Sequence, residues 1–331
     1  MSSAVPVTLA CWDYDRTSAL ATGAVRPEGV DLTYLSLPVE ETFFRMIRHR
    51  EFDAAEMSLS SYVVSLFHGS PTIAIPVFPS RAFRHNGIYV NSRSGIGKPE
   101  DLAGRTVGVP EYQLTAVVWI RGILAEHYGV PVPSVHYRTG GLDHPGRVEK
   151  LRVDLPPEVD VQPIDPGRTL SDMLVNGEID AVYCPRTPRP FAQGRPEVRR
   201  LFGDPRTEEE RYFSRTGIFP IMHTVVIRDE ILRTHPWVAQ NLLQAFEKAK
   251  EQAYRRLENP RTVSLAWMRD LLEEQRAVMG ADPWVYGFAP NRHTLETFCE
   301  YGHQQGLTRR RLSAEELFVP GTLAEIPKYV E

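Results

Sequence analysis

Cysteine is scarce in this chain. Cys11, Cys184 and Cys299 are far apart among 331 residues. No CxxC pair and no Cys/His spacing of the zinc type occurs, so the sequence carries no metal-binding motif. An odd, scattered set also argues against a disulfide framework and fits a reducing cytoplasm. Long apolar runs are missing as well. Nothing approaches the ~20 residues needed to cross a bilayer, which excludes a helical membrane span. Residues 1–9 contain no Lys or Arg, and Asp13 and Asp15 follow at once. That is neither a secretory signal nor a lipoprotein leader, so a cytoplasmic location is expected. Basic charge is in deficit, at 38 Lys and Arg against 42 Asp and Glu. The electrostatic footprint of a nucleic-acid-binding protein is therefore missing. The glycine-bearing loop Gly140-Gly141-Leu142-Asp143-His144-Pro145-Gly146-Arg147 lacks the Lys-Ser/Thr that would make it a phosphate loop. There is no internal repeat and no low-complexity segment.

What remains is an ordinary globular composition on a chain too long for one core, so two lobes are expected. Residues 5–12 and 30–37 read as strands. Residues 40–50 form a helix that puts Phe43, Phe44, Met46 and Ile47 on one stripe. A short strand over 52–57 runs into a helix over 59–67. Apolar runs at 72–78 and 87–90 follow. The strand 106–109 feeds a long helix that ends near Tyr128, with Gly129 placed as its C-cap. Strands at 159–164 and 178–184 flank a short helix stopped by Gly177. A last strand over 223–227 precedes a mainly helical C-terminal region, with helices over 236–257 and 291–305. This alternation describes an α/β fold with a mostly parallel sheet.

Candidate binding groups gather at strand ends. Arg81, Arg84 and His85 lie between the runs 72–78 and 87–90, on a connection stiffened by Pro76 and Pro79. Two fixed cations and one titratable imidazole suit an anionic ligand. Asp13 follows the first strand, as a helix cap or a ligand contact. Ser58 sits at a strand-to-helix join with Glu56. Glu111, Tyr112 and Thr115 lie where the 106–109 strand opens a helix, whose unpaired N–H groups suit an anion. Arg186 ends another strand between Pro185 and Pro188. His223 begins the last strand, which returns the chain to the first lobe past the cleft.

The segments Asp13-Tyr14-Asp15-Arg16-Thr17, Phe78-Pro79-Ser80-Arg81-Ala82-Phe83-Arg84-His85, Gly108-Val109-Pro110-Glu111-Tyr112, Gly146-Arg147-Val148-Glu149-Lys150 and Thr216-Gly217-Ile218-Phe219-Pro220-Ile221-Met222-His223 resemble the 4,5-dihydroxyphthalate decarboxylase family. The likeness runs from about residue 7 to about 318. Two departures stand beside the expected cleft and bear on substrate choice. Tyr112-Gln113-Leu114-Thr115 replaces a Trp-Ala-Gln-Thr form, and Asn86-Gly87 replaces Ser-Ser. The resemblance implies a two-lobe fold of the type II periplasmic-binding-protein kind, with ligand between lobes that close by a hinge. Lobe one would hold residues 1–93 plus 223–331, and lobe two the insert 94–222. It also implies a carboxy-lyase of aromatic compound catabolism, including phthalate degradation.

A dihydroxyphthalate supplies its own electron source, because each carboxylate is para to a phenol. No cofactor is chemically required, only a grip on carboxylate, a polarised phenol and a proton for carbon. Arg81, Arg84 and Arg186 are the candidates for carboxylate, with Thr115, Ser58 and Tyr112 beside them. His85 or His223 would donate the proton, and Glu111 or Asp13 would accept from the phenol. A metal enzyme built on His85, His223 and a carboxylate finds no support in the spacing. The alternative is a solute-binding or sensor protein for a small aromatic or cyclic carboxylate, without catalysis. Either way the partner is a small-molecule aromatic carboxylate. Composition neither demands nor forbids a homo-oligomer.

Overall fold

The computed structural model describes residues 4–324. Two mixed sheets divide the strands. The first holds β1 (Val5–Cys11), β2 (Val30–Ser36), β3 (Ala54–Ser58), β4 (Thr72–Ile75) and β11 (His223–Arg228), in the order β2-β1-β3-β11-β4. β1 pairs parallel with β2 and β3, whereas β11 runs antiparallel between β3 and β4. All five residues of β3 are buried, which fits its Ala-Ala-Glu-Met-Ser composition. Small side chains let helices cover both faces of a parallel sheet. The run expected over 72–78 stops at Ile75, because Pro76 has no N–H for the ladder.

The second sheet holds β5 (Ile88–Asn91), β6 (Thr106–Val109), β7 (His136–Thr139), β8 (Val161–Pro163), β9 (Ala181–Tyr183) and β10 (Val198–Arg200), in the order β10-β5-β9-β6-β7-β8. The expected lobe boundary at residue 93 leaves β5 with the first sheet. Its ladder is instead shared with β9 and β10, so the chain crosses over between β4 and β5. An apolar strand reads the same in either sheet, and its partners lie about a hundred residues away.

The helices are α1 (Ser18–Ala21), α2 (Val39–His49), α3 (Leu59–Leu66), α4 (Thr115–Tyr128), α5 (Leu170–Asn176), α6 (Arg189–Ala192), α7 (Pro205–Thr216), α8 (Asp229–Thr234), α9 (Val238–Leu257), α10 (Met268–Met279) and α11 (Arg292–Gln304). Gly129 and Gly177 close α4 and α5 in the left-handed region, with φ of 63° and 76°. No described helix is long and apolar enough to cross a membrane.

α4 is the keystone of the packing. Every residue from Thr115 to Leu124 is buried, as expected for a helix apolar on all sides. The Trp119 indole donates to the Ile221 carbonyl at 2.9 Å, just before β11. Gly122 lies flat under the Tyr301 ring of α11, where a Cβ would come within 2.0 Å of a ring carbon. The C-terminal helix therefore packs against the inserted lobe as well as the first. One continuous apolar core runs through both lobes.

Candidate active site

β1 and β3 run parallel, so their carboxyl ends open side by side, where open α/β sheets bind ligands. Antiparallel β11 places its first residue, His223, opposite Ser58, the last of β3. Glu56 lies two residues back on the same face. His223 Nδ1 meets Glu56 Oε1 at 2.6 Å, and the Tyr14 hydroxyl donates to the same oxygen at 2.6 Å. The other oxygen accepts from the Trp12 N–H at 3.0 Å and faces Cys11 Sγ at 3.5 Å. Glu56 is wholly buried. Burial alone would raise its carboxyl, but the bonds from His223, Tyr14 and Trp12 hold it below the ordinary value. An ionised Glu56 accepts only, so Nδ1 carries a proton and Nε2 is left for another partner. The His223 side chain is 16% exposed, and its ring meets the Phe43 edge at a centroid distance of 4.9 Å.

Arg84 touches the residue that precedes His223. Its Nε–H donates to Met222 Sδ at 3.1 Å, one residue before His223. It makes no ion pair with a carboxylate among the described residues. Burial pushes its guanidinium down to about 10, and burial pushes the neighbouring Glu209 carboxyl up to about 7. The N-termini of α3 and α4 meet at the same place. Ser58 Oγ and Thr115 Oγ1 are 2.8 Å apart, and Thr115 Oγ1 accepts from the Ser60 N–H at 3.0 Å. The first N–H groups of α3 are taken up by Met222, Thr115 and Ser58, so a buried guanidinium that makes no ion pair among the described residues and the positive end of α4 are what would attract an oxyanion here.

Toward solvent, a chamber of about 510 Å³ lies between α2 and the loops of the inserted lobe. That is the size of a small-ligand site. Phe44 from α2 faces Pro110, Leu114 and Leu142 across it. Arg147 donates to Glu111 Oε1 from Nε at 2.8 Å and from an Nη at 2.6 Å, and Lys150 reaches the same oxygen at 2.5 Å. Arg147 and Arg186 both continue to Glu40 on α2, at 3.3 and 2.5 Å.

The sequence candidates fall into three groups. His223, Ser58, Thr115 and Arg84 are brought together at the ends of β3 and β11 and the start of α4, and Glu111 and Arg186 line the chamber. Asp13 is exposed and makes no hydrogen bond among the described residues. Arg81, His85 and Tyr112 are built into the packing. Arg81 donates to the carbonyls of Phe219 and Val285 and to the Asn291 side chain. It is thereby a strut between the crossing segment and the C-terminal region. The Tyr112 hydroxyl donates to the Gln305 carbonyl at 3.0 Å, under the Arg121 guanidinium. His85 is enclosed by Tyr128, Phe202 and Tyr212, and neither ring nitrogen has a partner among the described residues. Burial, then His127 and Arg215, push its imidazole down to about 4.

Glu56, Tyr14, Arg147, Lys150 and Glu40 were not among the candidates. A lone acid inside the apolar strand Ala54-Ala55-Glu56-Met57 was the available signal for Glu56, because an unpaired buried carboxylate is costly. Among the described residues, no group of three or more His, Cys, Asp or Glu is arranged to hold a metal ion.

Two lobes, a cleft between them and anion-seeking groups at its floor define the binding-protein-like class. The fold matches the periplasmic aliphatic sulphonate binding protein of Escherichia coli with a TM-score of 0.54 and 11% identity, covering 96% of this chain and 99% of that one. A ligand binding component of an ABC-type import system from Staphylococcus aureus matches with a TM-score of 0.52 and 14% identity, over 98% and 99%. At such identities the likeness is one of fold. No protein-family model matches the sequence. A 4,5-dihydroxyphthalate decarboxylase of Comamonas testosteroni is 44% identical over 324 residues, 97% of this chain and 98% of that one. One of Pseudomonas putida is 46% identical over 200 residues, 60% of this chain and 78% of that one. The chain belongs to the 4,5-dihydroxyphthalate decarboxylase family.

Proposed function

We propose that the protein is a decarboxylase of a hydroxylated aromatic carboxylate such as 4,5-dihydroxyphthalate, giving a dihydroxybenzoate and CO2, with His223 as proton donor. The observation that carries this reading is the Glu56–His223 pair at 2.6 Å, which engages Nδ1 and leaves Nε2 for the substrate. A buried carboxylate fixes the ring orientation and offsets the charge of the imidazolium that donates.

The substrate is taken with its para phenol ionised, and Arg84 with the N-terminus of α4 stabilises that oxygen. Phenolate electrons move into the ring as Nε2 delivers its proton to the carbon bearing the departing carboxylate. That carbon becomes tetrahedral. Its bond to the carboxylate then breaks, the electron pair returns to the ring, the phenolate is restored and CO2 leaves. The proton stays on carbon, and neutral His223 recovers one from solvent. The Phe43 edge keeps that side of the ring apolar, which favours loss of a charged group as a neutral gas. Glu111, engaged by Arg147 and Lys150, acts as a positioning residue for those cations.

A cytoplasmic location belongs to the same proposal. It is supported by three free, buried cysteines, and cell fractionation tests it. The decisive experiment is to incubate the purified protein with hydroxylated phthalates and benzoates and measure CO2 and the aromatic product. Tight binding with no CO2 from any of them would leave a binding protein.

A further inference from the structure

The chamber at the cleft mouth is lined with charges that the proposed chemistry does not use. Arg147 is aimed by a buried group. Two of its nitrogens are held by Glu111, which is 1% exposed, so its remaining nitrogen points at Glu40 at 3.3 Å. Arg186 arrives from the end of β9 on a stretch between Pro185 and Pro188 and meets the other oxygen of Glu40 at 2.5 Å. Two guanidinium groups from the inserted lobe thus share one carboxylate from α2. The Glu111 oxygen not used by Arg147 and Lys150 has no partner among the described residues, although it is buried. Beside this cluster Phe44 is half exposed, and the chamber of about 510 Å³ holds far more than one Glu side chain fills.

We propose that Arg147 and Arg186 form a carboxylate subsite at the cleft mouth, and that Glu40 is its resident stand-in, displaced when an aromatic dicarboxylate binds. The carboxylate that the reaction retains takes the place of the Glu40 carboxylate, and its ring lies against Phe44 and Leu114. The subsite rests on the reading of the cleft as a site for an aromatic dicarboxylate. Glu40 is well suited to be displaced, because its own side chain is partly exposed, its pair with Arg186 is solvent-exposed and such pairs are weak, and its contact with Arg147 is long at 3.3 Å. A ligand that brings its own apolar ring adds burial that Glu40 lacks. Phe43 touches the His223 ring, and Phe44, its neighbour on α2, lines the chamber.

The test uses phthalate, which has two carboxylates but no phenol, so it binds without reacting by the route above. Its affinity is measured by calorimetry on the full chain, with benzoate as the single-carboxylate control. Glu40→Gln removes the competing charge and keeps the shape, and should tighten phthalate binding about threefold to tenfold while changing benzoate less than twofold. Arg186→Gln should weaken phthalate binding in both the native and the Glu40→Gln background. Thermal melts confirm folding of each variant. Unchanged or weaker phthalate binding in Glu40→Gln overturns the subsite, as does equal tightening of benzoate. Failure of phthalate to bind any of these proteins overturns it together with the cleft reading. Tighter binding in Glu40→Gln, alongside a wild-type protein that releases no CO2 from 4,5-dihydroxyphthalate, would sustain the subsite and remove only the chemistry.

Discussion

Glu56→Gln is the most informative single change. The amide keeps the shape of the carboxylate and removes its charge. Its carbonyl oxygen can still accept from His223 and Tyr14, both bound at 2.6 Å. The NH2 then faces the Trp12 N–H across the present 3.0 Å bond, donor against donor. A hydrogen bond to a charged group is worth about 1.5–3 kcal/mol, which on the donor imidazolium is about tenfold to a hundredfold in kcat. The donor-donor contact should cost a further ~1–3 kcal/mol of stability. The pH dependence has a definite sign. The folded Glu56 carboxyl lies below its unfolded value of 4.5, so its contribution is fully present above about pH 4.5 and is lost as pH falls through the folded value. The stability gap between wild type and Glu56→Gln, from urea unfolding, should therefore be largest near neutrality and narrow in acid. Steady-state CO2 release gives kcat. Wild-type turnover in Glu56→Gln, or a gap that does not vary with pH, would refute the role of the pair.

His223→Asn should lower turnover ~10²–10⁴-fold while phthalate still binds, by the usual scale of general acid catalysis; normal turnover would move the proton donor elsewhere. Arg84→Ala should weaken binding of a hydroxylated phthalate more than ~tenfold by calorimetry, since its guanidinium makes no ion pair among the described residues and a hydrogen bond to a charged group is worth ~1.5–3 kcal/mol. His85→Leu should retain turnover and be more stable than wild type at pH 5. A buried imidazole lowered to about 4 loses stability as pH falls from 6.5 toward that value, by up to ~3 kcal/mol, and melts at pH 5 and 7.5 check it. Gly122→Ala should destabilise the fold by ~1–3 kcal/mol or more in urea titration, because the new Cβ would overlap the buried Tyr301 ring and force it or α4 to move.

The sequence showed the elements far better than their partners. α4, its Gly129 cap and Thr115 in its first turn are local properties, and all are where periodicity and capping put them. β5 could not be assigned by the same means, because which sheet it joins depends on β9 and β10. Arg81 shows the limit most clearly. Two nearby prolines and a strand end made it look like a ligand grip, yet its acceptors lie 138 to 210 residues further on. His85 titrates near neutrality in isolation, and only its aromatic enclosure reveals that it is held neutral. Glu56 needed His223, 167 residues away, to become more than an oddity in an apolar strand.

The place of β11 in the first sheet sets an order of events during synthesis. Among the described residues β4 pairs with no strand but β11, and β3 has β11 on one of its two edges. That sheet cannot close until residue 228 has been made, whereas every strand of the second sheet is present by residue 200. Long-range pairing is slow, and units whose parts are complete fold first on a growing chain. The inserted lobe should then be formed while β3 and β4 are still unjoined, with Glu56 lacking its imidazole partner. Protease digestion of chains halted near residues 210 and 240 would show protection of 88–200 in both and of 54–75 only in the longer.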